Sequence, residues 1–282
     1  MRRISSRLLL TILGRHVAIS SVVFLSIAGL LSGILAGFLG IGGGTLLVPV
    51  LLQLGFESHA ATATSSLAIL VTSTAGSAQN WRMGYLKPRQ ILLLGIPAAI
   101  AGFFAALLVD GIPQYWQLFG FGLLMLSNLY LVSLKKRVIQ EAQFRESRAA
   151  TGPAINPAMA RTATGTIAGF MAGLFGVGGG VILVPLQILL LGESIKTAVR
   201  TSLGVIVITS ISVCLGHAIQ GNIRLIEGLI LGVGGLIGVQ VSTRFLPRLS
   251  DNTVTQLFRA LLIVLSIYTF WKAWLLYTAG VV

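Results

Sequence analysis

The chain alternates long apolar runs with short polar breaks, and the spacing of those breaks predicts helices that cross a membrane. Uncharged runs extend from His16 to Phe56, Ser58 to Trp81, Gln90 to Val109, Gly111 to Leu134, Thr162 to Gly192 and Thr201 to Ile223. Two shorter ones cover Gly228–Thr243 and Ala260–Trp271. Most reach the roughly 18–20 residues that span the hydrocarbon of a bilayer. Helices are expected over Val17–Leu39, a short piece from about Thr45 to Gly55, then about Ala60–Gln79, Ile91–Val109 and Gln114–Leu134.

Two near-copies of one stretch interrupt this pattern: Gly40-Ile41-Gly42-Gly43-Gly44-Thr45-Leu46-Leu47-Val48-Pro49 and Gly176-Val177-Gly178-Gly179-Gly180-Val181-Ile182-Leu183-Val184-Pro185. Each glycine costs a helix about 1 kcal/mol against alanine, so three in a row break it. A backbone break at membrane depth survives only where protein buries it or a cavity lines it. With an offset of 136, Gly29–Leu52 matches Gly165–Ile188 at 11 of 24 positions, and the register continues through Glu57/Glu193, Ser58/Ser194, Ser66/Ser202 and Leu67/Leu203. After a slip of one residue, Gly84 meets Gly221 and Gly95 meets Gly232. The chain is therefore expected to be all-α, a polytopic membrane protein of two tandem repeats. Each repeat holds about four transmembrane helices and a short helix broken at its glycines.

Composition agrees. Charged residues make up 10%, apolar residues 55%, and the mean hydropathy is +0.92, far from the roughly 25% charge of soluble domains. The net charge of +13 does not signal nucleic acid, because the basic residues cluster at the ends of apolar runs. The expected divisions are a basic cytoplasmic segment 1–16, a first repeat 17–134, a basic linker 135–161 and a second repeat 162–282. Eight full crossings and two short broken helices put the linker, the Arg82–Arg89 loop, Arg224 and both termini in the cytoplasm, with Arg244 and Arg248 outside. An even number of crossings per half makes the halves parallel. The single Cys214 excludes a disulfide framework.

Consecutive glycines let peptide N–H groups point into one concavity that binds an anion, and the start of the following helix adds its positive end. Gly42, Gly43, Gly44, Gly178, Gly179 and Gly180 are thus candidate substrate-binding residues, with a Thr45 hydroxyl in the first copy only. Further hydroxyls stand in Thr62-Ala63-Thr64-Ser65-Ser66-Leu67 and Ala198-Val199-Arg200-Thr201-Ser202-Leu203, which adds Ser65, Ser66, Thr201 and Ser202. Arg200 can supply a fixed positive charge. His217, with Asn80 at the corresponding place, is a candidate proton relay. Gly29, Gly33 and Gly37, four apart, read as a helix-packing stripe. No lysine follows either glycine run as a P-loop requires, and Thr45 and Val181 stand where a dinucleotide fingerprint needs glycine. No catalytic constellation or metal-ligand cluster can be assembled, so neither an enzyme nor a cofactor or metal is expected.

The paired G-x-G-G-G-x-x-x-V-P motifs, each followed by a Thr/Ser-Ser-Leu element, resemble the TauE/SafE family over about Val17 to Trp274. That resemblance implies a transporter of the bacterial inner membrane exporting sulfite, sulfoacetate or another sulfur-containing or carboxylate anion. The family's Gly-Thr-Ser-Leu element stands here as Thr64-Ser65-Ser66-Leu67 and Arg200-Thr201-Ser202-Leu203, its glycine replaced in both halves. An anion channel and a non-transporting membrane scaffold or enzyme are the alternative readings. A small anionic solute and the lipid bilayer are the expected partners, and a homo-oligomer is compatible with the sequence.

Overall fold

The computed structural model describes residues 19–145 and 157–278. The basic N-terminal segment 1–16, residues 146–156 of the expected linker and residues 279–282 lie outside the described residues. Ten α-helices are described: α1 (Ile19–Leu39), α2 (Gly44–Gln53), α3 (Ser58–Arg82), α4 (Pro88–Leu108), α5 (Gln114–Arg145), α6 (Pro157–Phe175), α7 (Gly180–Leu190), α8 (Ile195–Ile219), α9 (Leu225–Phe245) and α10 (Asp251–Thr278). The order long, short, long, long, long therefore occurs twice. Among the described residues, five helices are long and apolar enough to cross a membrane, lying within α1, α4 with its 3-10 extension, α8, α9 with its extension, and α10. α5 continues to Arg145, well past Leu134.

Local chemistry sets the helix ends. Gly43 and Gly179, at φ 85° and 73°, stand immediately before α2 and α7, a backbone conformation that only glycine adopts cheaply. Ser194 caps α8 by accepting the Thr197 N–H at 3.3 Å, and Pro88 opens α4, where its missing N–H costs nothing. Apolar side chains at four-residue intervals face outward: Leu92, Ile96, Ile100, Phe104 and Leu108 on α4, and Leu229, Val233, Ile237 and Val241 on α9. Such stripes suit lipid.

The glycine stripes fix the directions of the helices. On α1, Gly29, Gly33 and Gly37 sit against Leu231, Gly235 and Ser242 of α9, so α1 and α9 run parallel. On α6, Gly165, Gly169 and Gly173 sit against Leu94, Ala98 and Gly102 of α4 in the same way. In each pair an added Cβ would fall closer than 3.0 Å to its neighbour; the stripes are packing surfaces, as expected. α3 runs parallel to α9, since Leu67 meets Gly228, Val71 meets Gly232 and Val239 meets Gly76. α8 runs parallel to α4, with Gly204 on Ile91 and Gly216 on Ala106. α3 and α8 are antiparallel: Ile69 and Ile206 both touch Gly42, while Gly76, further along α3, meets Leu203, further back on α8.

These directions correct the expected arrangement. α1 and α3 both run with α9, so α2 must carry the chain back, and α1 and α2 form a re-entrant pair. α6 and α7 do the same from the other side. From there the first half alternates direction through α3, α4 and α5, and the second half starts on the face where the first ended. The halves are opposed, not parallel: α1 runs with α9, whereas its counterpart α6 runs with α4, in the other direction. They also interlock, because each half's opening helix packs on the other half's α4 or α9. We call the side where α5 ends and α6 begins the linker face. α1 begins and α10 ends on the opposite face, consistent with the antiparallel ring pairs Tyr115–Tyr277 and Phe119–Phe270 at 6.1 and 5.6 Å.

Candidate functional site

The two glycine breaks meet back to back in the middle of the molecule. Ile69 and Ile206, each the twelfth of 25 residues in α3 and α8, both press on Gly42 and Gly178. The first residue of α2, Gly44, lies against the Gly176 carbonyl, and the first residue of α7, Gly180, lies against the Gly40 carbonyl. All residues from Leu39 to Thr45 are buried. Gly40, Gly42 and Gly43 take φ 68°, 72° and 85°; Gly176, Gly178 and Gly179 take 63°, 70° and 73°. The N–H groups of Ile41, Gly42 and Gly43 find no backbone acceptor, and neither do those of Val177, Gly178 and Gly179. Each break therefore offers three consecutive donors in a turn, the arrangement that attracts an anion.

The hydroxyls divide by what they already bond. Ser202 donates to the Gly40 carbonyl at 2.6 Å and Ser65 to the Gly176 carbonyl at 2.7 Å, each reaching across to the break of the opposite half. Their protons also point at the Val199 and Thr62 carbonyls of their own helices, at 2.9 and 3.0 Å. A hydroxyl has one proton, so Ser65 and Ser202 hold the breaks in place and have none left for a solute. Ser66 bonds only the Thr62 carbonyl of its own helix, at 2.9 Å. Thr201 is buried on α8 beside them. Thr45 Oγ1 is buried without any partner, and is a candidate hydroxyl free to donate. Ser32 holds the first break from below through the Gly43 carbonyl at 2.9 Å; Ala168 stands against Gly179 in the second.

Ser65, not Ser66, is thus the partner of Ser202, which corrects the sequence register. The offset is 136 at the breaks but 137 from the start of α3 and α8, because α7 has 11 residues where α2 has 10. Removing the cross-half bond distinguishes the two serines. Ser65→Ala and Ser202→Ala should each cost about 1–2 kcal/mol, since a buried carbonyl loses its donor. Ser66→Ala should cost less than about 0.5 kcal/mol, because its bond doubles one already made within the helix. Chemical unfolding of the detergent-solubilised variants reads the difference, and equal losses would return Ser66 to the site.

Arg200 and His217 are not with the breaks. The Arg200 guanidinium stacks on the Tyr85 ring, 3.6 Å from its centroid, near the linker-face ends of α8 and α3. His217 lies 11 residues beyond Ile206, about 16 Å along the helix, towards the opposite face. Its ring is fully buried and neither nitrogen makes a hydrogen bond of good geometry; Gln220 and the Gly173 carbonyl lie beside it. Asn80, at the 137 offset, is likewise fully buried with its amide unpaired. At the opposite face a cavity of about 550 Å³ opens between the α2–α3 and α8–α9 connections, lined among others by Glu57, His59, Asn222 and Arg224. His59 pairs with Glu57 at 2.9 Å, and Asn222 donates to Asp110 at 2.8 Å. Sequence reasoning did not find Tyr85 or this cavity. Among the described residues no group of His, Cys, Asp and Glu is placed to hold a metal ion.

The family model described as Sulfite exporter TauE/SafE matches residues 25–269. "Probable membrane transporter protein YunE" of Bacillus subtilis is 26% identical over 262 residues, covering 87% of this chain and 96% of that protein. A "Probable membrane transporter protein" of Xylella fastidiosa is 25% identical over 264 residues, covering 91% and 97%. "Sulfite exporter TauE/SafE family protein 1" of Arabidopsis thaliana is 39% identical over 62 residues, 22% of this chain and 14% of its own. No solved structure matches the chain.

Proposed function

The chain belongs to the sulfite exporter TauE/SafE family of membrane transporters, and from that premise we propose that it carries a small anion across a bacterial inner membrane by alternating access. The observation that carries this reading is the pair of buried breaks, each with three consecutive N–H groups that find no backbone acceptor, meeting back to back at mid-helix. Ile41–Gly43 and Val177–Gly179 supply these donors, Gly44 and Gly180 open the helices that follow them, Thr45 offers a free hydroxyl, and Ser65 and Ser202 the fixed geometry. Sulfite, sulfoacetate and small carboxylates offer the oxygen acceptors that suit such a cradle. His217 and Asn80 mark polar positions along the routes from the cradle to the two faces, and His217 is the one that can pass a proton.

Charge sets the orientation on this reading. Arg82, Lys87, Arg89, Arg161, Lys196, Arg200, Arg244 and Arg248 all sit at helix ends on the linker face, whereas Arg224 and Lys272 sit towards the opposite face. The positive-inside rule makes the linker face cytoplasmic. The start of α1 and the end of α10 are then outside, the reverse of the sequence expectation, and Arg244 and Arg248 cease to be exceptions. A membrane potential of 100 mV, negative inside, favours expulsion of a monovalent anion by about 2.3 kcal/mol, roughly fifty-fold.

The test is uptake of labelled sulfite, thiosulfate, sulfoacetate and small carboxylates into proteoliposomes. Saturable uptake of one, competed by its unlabelled form, is expected. Flux that never saturates would make the protein a channel, and no flux of any anion would remove the transport reading. Thr45→Val should raise KM about tenfold, the loss of one hydrogen bond to a charge, without lowering stability. Lys87→Cys in a Cys214→Ala background should react with an impermeant maleimide only after cells are permeabilised; labelling of intact cells would reverse the orientation.

A further inference from the structure

Among the described residues, the corresponding connections at the two faces are not equally tied. On the opposite face the α2–α3 and α8–α9 connections stand apart around the 550 Å³ cavity. On the linker face the corresponding connections, α7–α8 and α3–α4, are tied together. Arg200 of α8 lies on Tyr85, and Gln90 at the start of α4 donates to Glu193 at 2.8 Å. The 137 offset shows why. Arg200 corresponds to Ala63, and Tyr85 corresponds to Asn222, which lines the open cavity. At these two corresponding positions the open face has neither a cation nor a ring.

We propose that Arg200 and Tyr85 form the latch of the linker-face pathway, and that Arg200, once released from Tyr85, is the cation that receives the oxyanion on that side. The proposal rests on the transport reading for the solute, but not for the latch. Arg200 is one residue from Val199, which packs on the Gly40 break, and two from Ser202, which bonds it. A side chain so placed guards the way from the linker face to the cradle. A guanidinium suits both roles, because it stacks on a ring and forks onto an oxyanion with the same planar group, whereas an ammonium does neither well. Stacking on an aromatic ring contributes only about 0.5–2 kcal/mol. That is small enough for an arriving anion, a stronger partner for the guanidinium, to displace the ring.

The experiment uses a reporter, Val199→Cys in the full chain with Cys214→Ala, and a water-soluble maleimide. Tyr85 is exposed, so its replacement leaves the core intact. Tyr85→Ala is expected to speed modification of the reporter at least tenfold, and Tyr85→Phe, which keeps the ring, to leave it unchanged. A second reporter, Ala60→Cys in the cavity of the opposite face, should respond to neither. Equal labelling with and without the ring overturns the latch, and so does faster labelling at both reporters. In the second arm, calorimetric titration with whichever anion the wild type transports should show affinity falling at least tenfold in Arg200→Ala and by less in Arg200→Lys. Unchanged affinity in Arg200→Ala removes its role as receiver. Labelling needs no anion, so a wild type without flux would sink the transport reading while the latch is still judged by the maleimide rates.

Discussion

Gly44→Ala and Gly180→Ala should each abolish transport and destabilise the protein by about 3 kcal/mol or more, at the upper end for overpacking, although alanine is the better helix former by about 1 kcal/mol. Neither glycine has a positive φ, so the backbone itself accepts alanine. The obstacle is the other break. A Cβ on Gly44 falls closer than 3.0 Å to the Gly176 carbonyl and to Val177 Cα, and one on Gly180 does the same to the Gly40 carbonyl and Ile41 Cα. Backbone atoms have no rotamer by which to move aside, so the two breaks must separate. Gly55→Ala is the control, with φ 83° but nothing within 4 Å of its Cβ. It should lose only about 1–2 kcal/mol, from the left-handed conformation, and keep its flux. Unfolding curves and uptake for the three variants check this. A Gly44→Ala protein as stable and active as Gly55→Ala would mean that the breaks do not touch.

The same contacts explain what the sequence could show and what it could not. The breaks were legible because three glycines in an apolar run have no cheap reading as continuous helix. The stripe Gly29, Gly33 and Gly37 was legible as packing from its four-residue spacing. The direction of α2 was not. A helix of 10 residues is too short to span, but length does not say whether it continues or returns; the left-handed Gly42 and Gly43 decide that. Charge, counted on that direction, then separated Arg244 and Arg248 from Arg82 and Lys87, with which the helix directions group them. The register failed for a smaller reason: α7 has one more residue than α2, while the chance identities Ser66/Ser202 and Leu67/Leu203 favoured the unslipped alignment. Ser65 and Ser202 show themselves only through the carbonyls of Gly176 and Gly40, more than 100 residues away in each case. Tyr85 carried a weak signal, an aromatic just after Gly84 where Asn222 follows Gly221, but its partner Arg200 is beyond any local pattern.

Interlocking of the halves gives the second large effect, because damage to one half should be felt in the other. Gly33→Ala puts a methyl group closer than 3.0 Å to the backbone of Gly235, and Gly169→Ala does so to the backbone of Ala98. Each forces two helices apart over a contact built for glycine, at about 3 kcal/mol. The two interfaces share no residues, so the losses should add within about 0.5 kcal/mol. A total near 6 kcal/mol is comparable to the whole stability of many proteins, about 5–15 kcal/mol. The double variant should therefore fail to accumulate as folded protein, while each single variant remains soluble in detergent. Hydrogen exchange on the single variants locates the damage. Gly33→Ala, a change in α1, should release amides of α9 while those of α4 stay protected; Gly169→Ala, in α6, should do the reverse. Exchange confined to the half that carries the mutation would mean that the halves fold as separate bundles. The re-entrant pairs would then have to pack within their own half, and the two breaks would lose the contacts that join them.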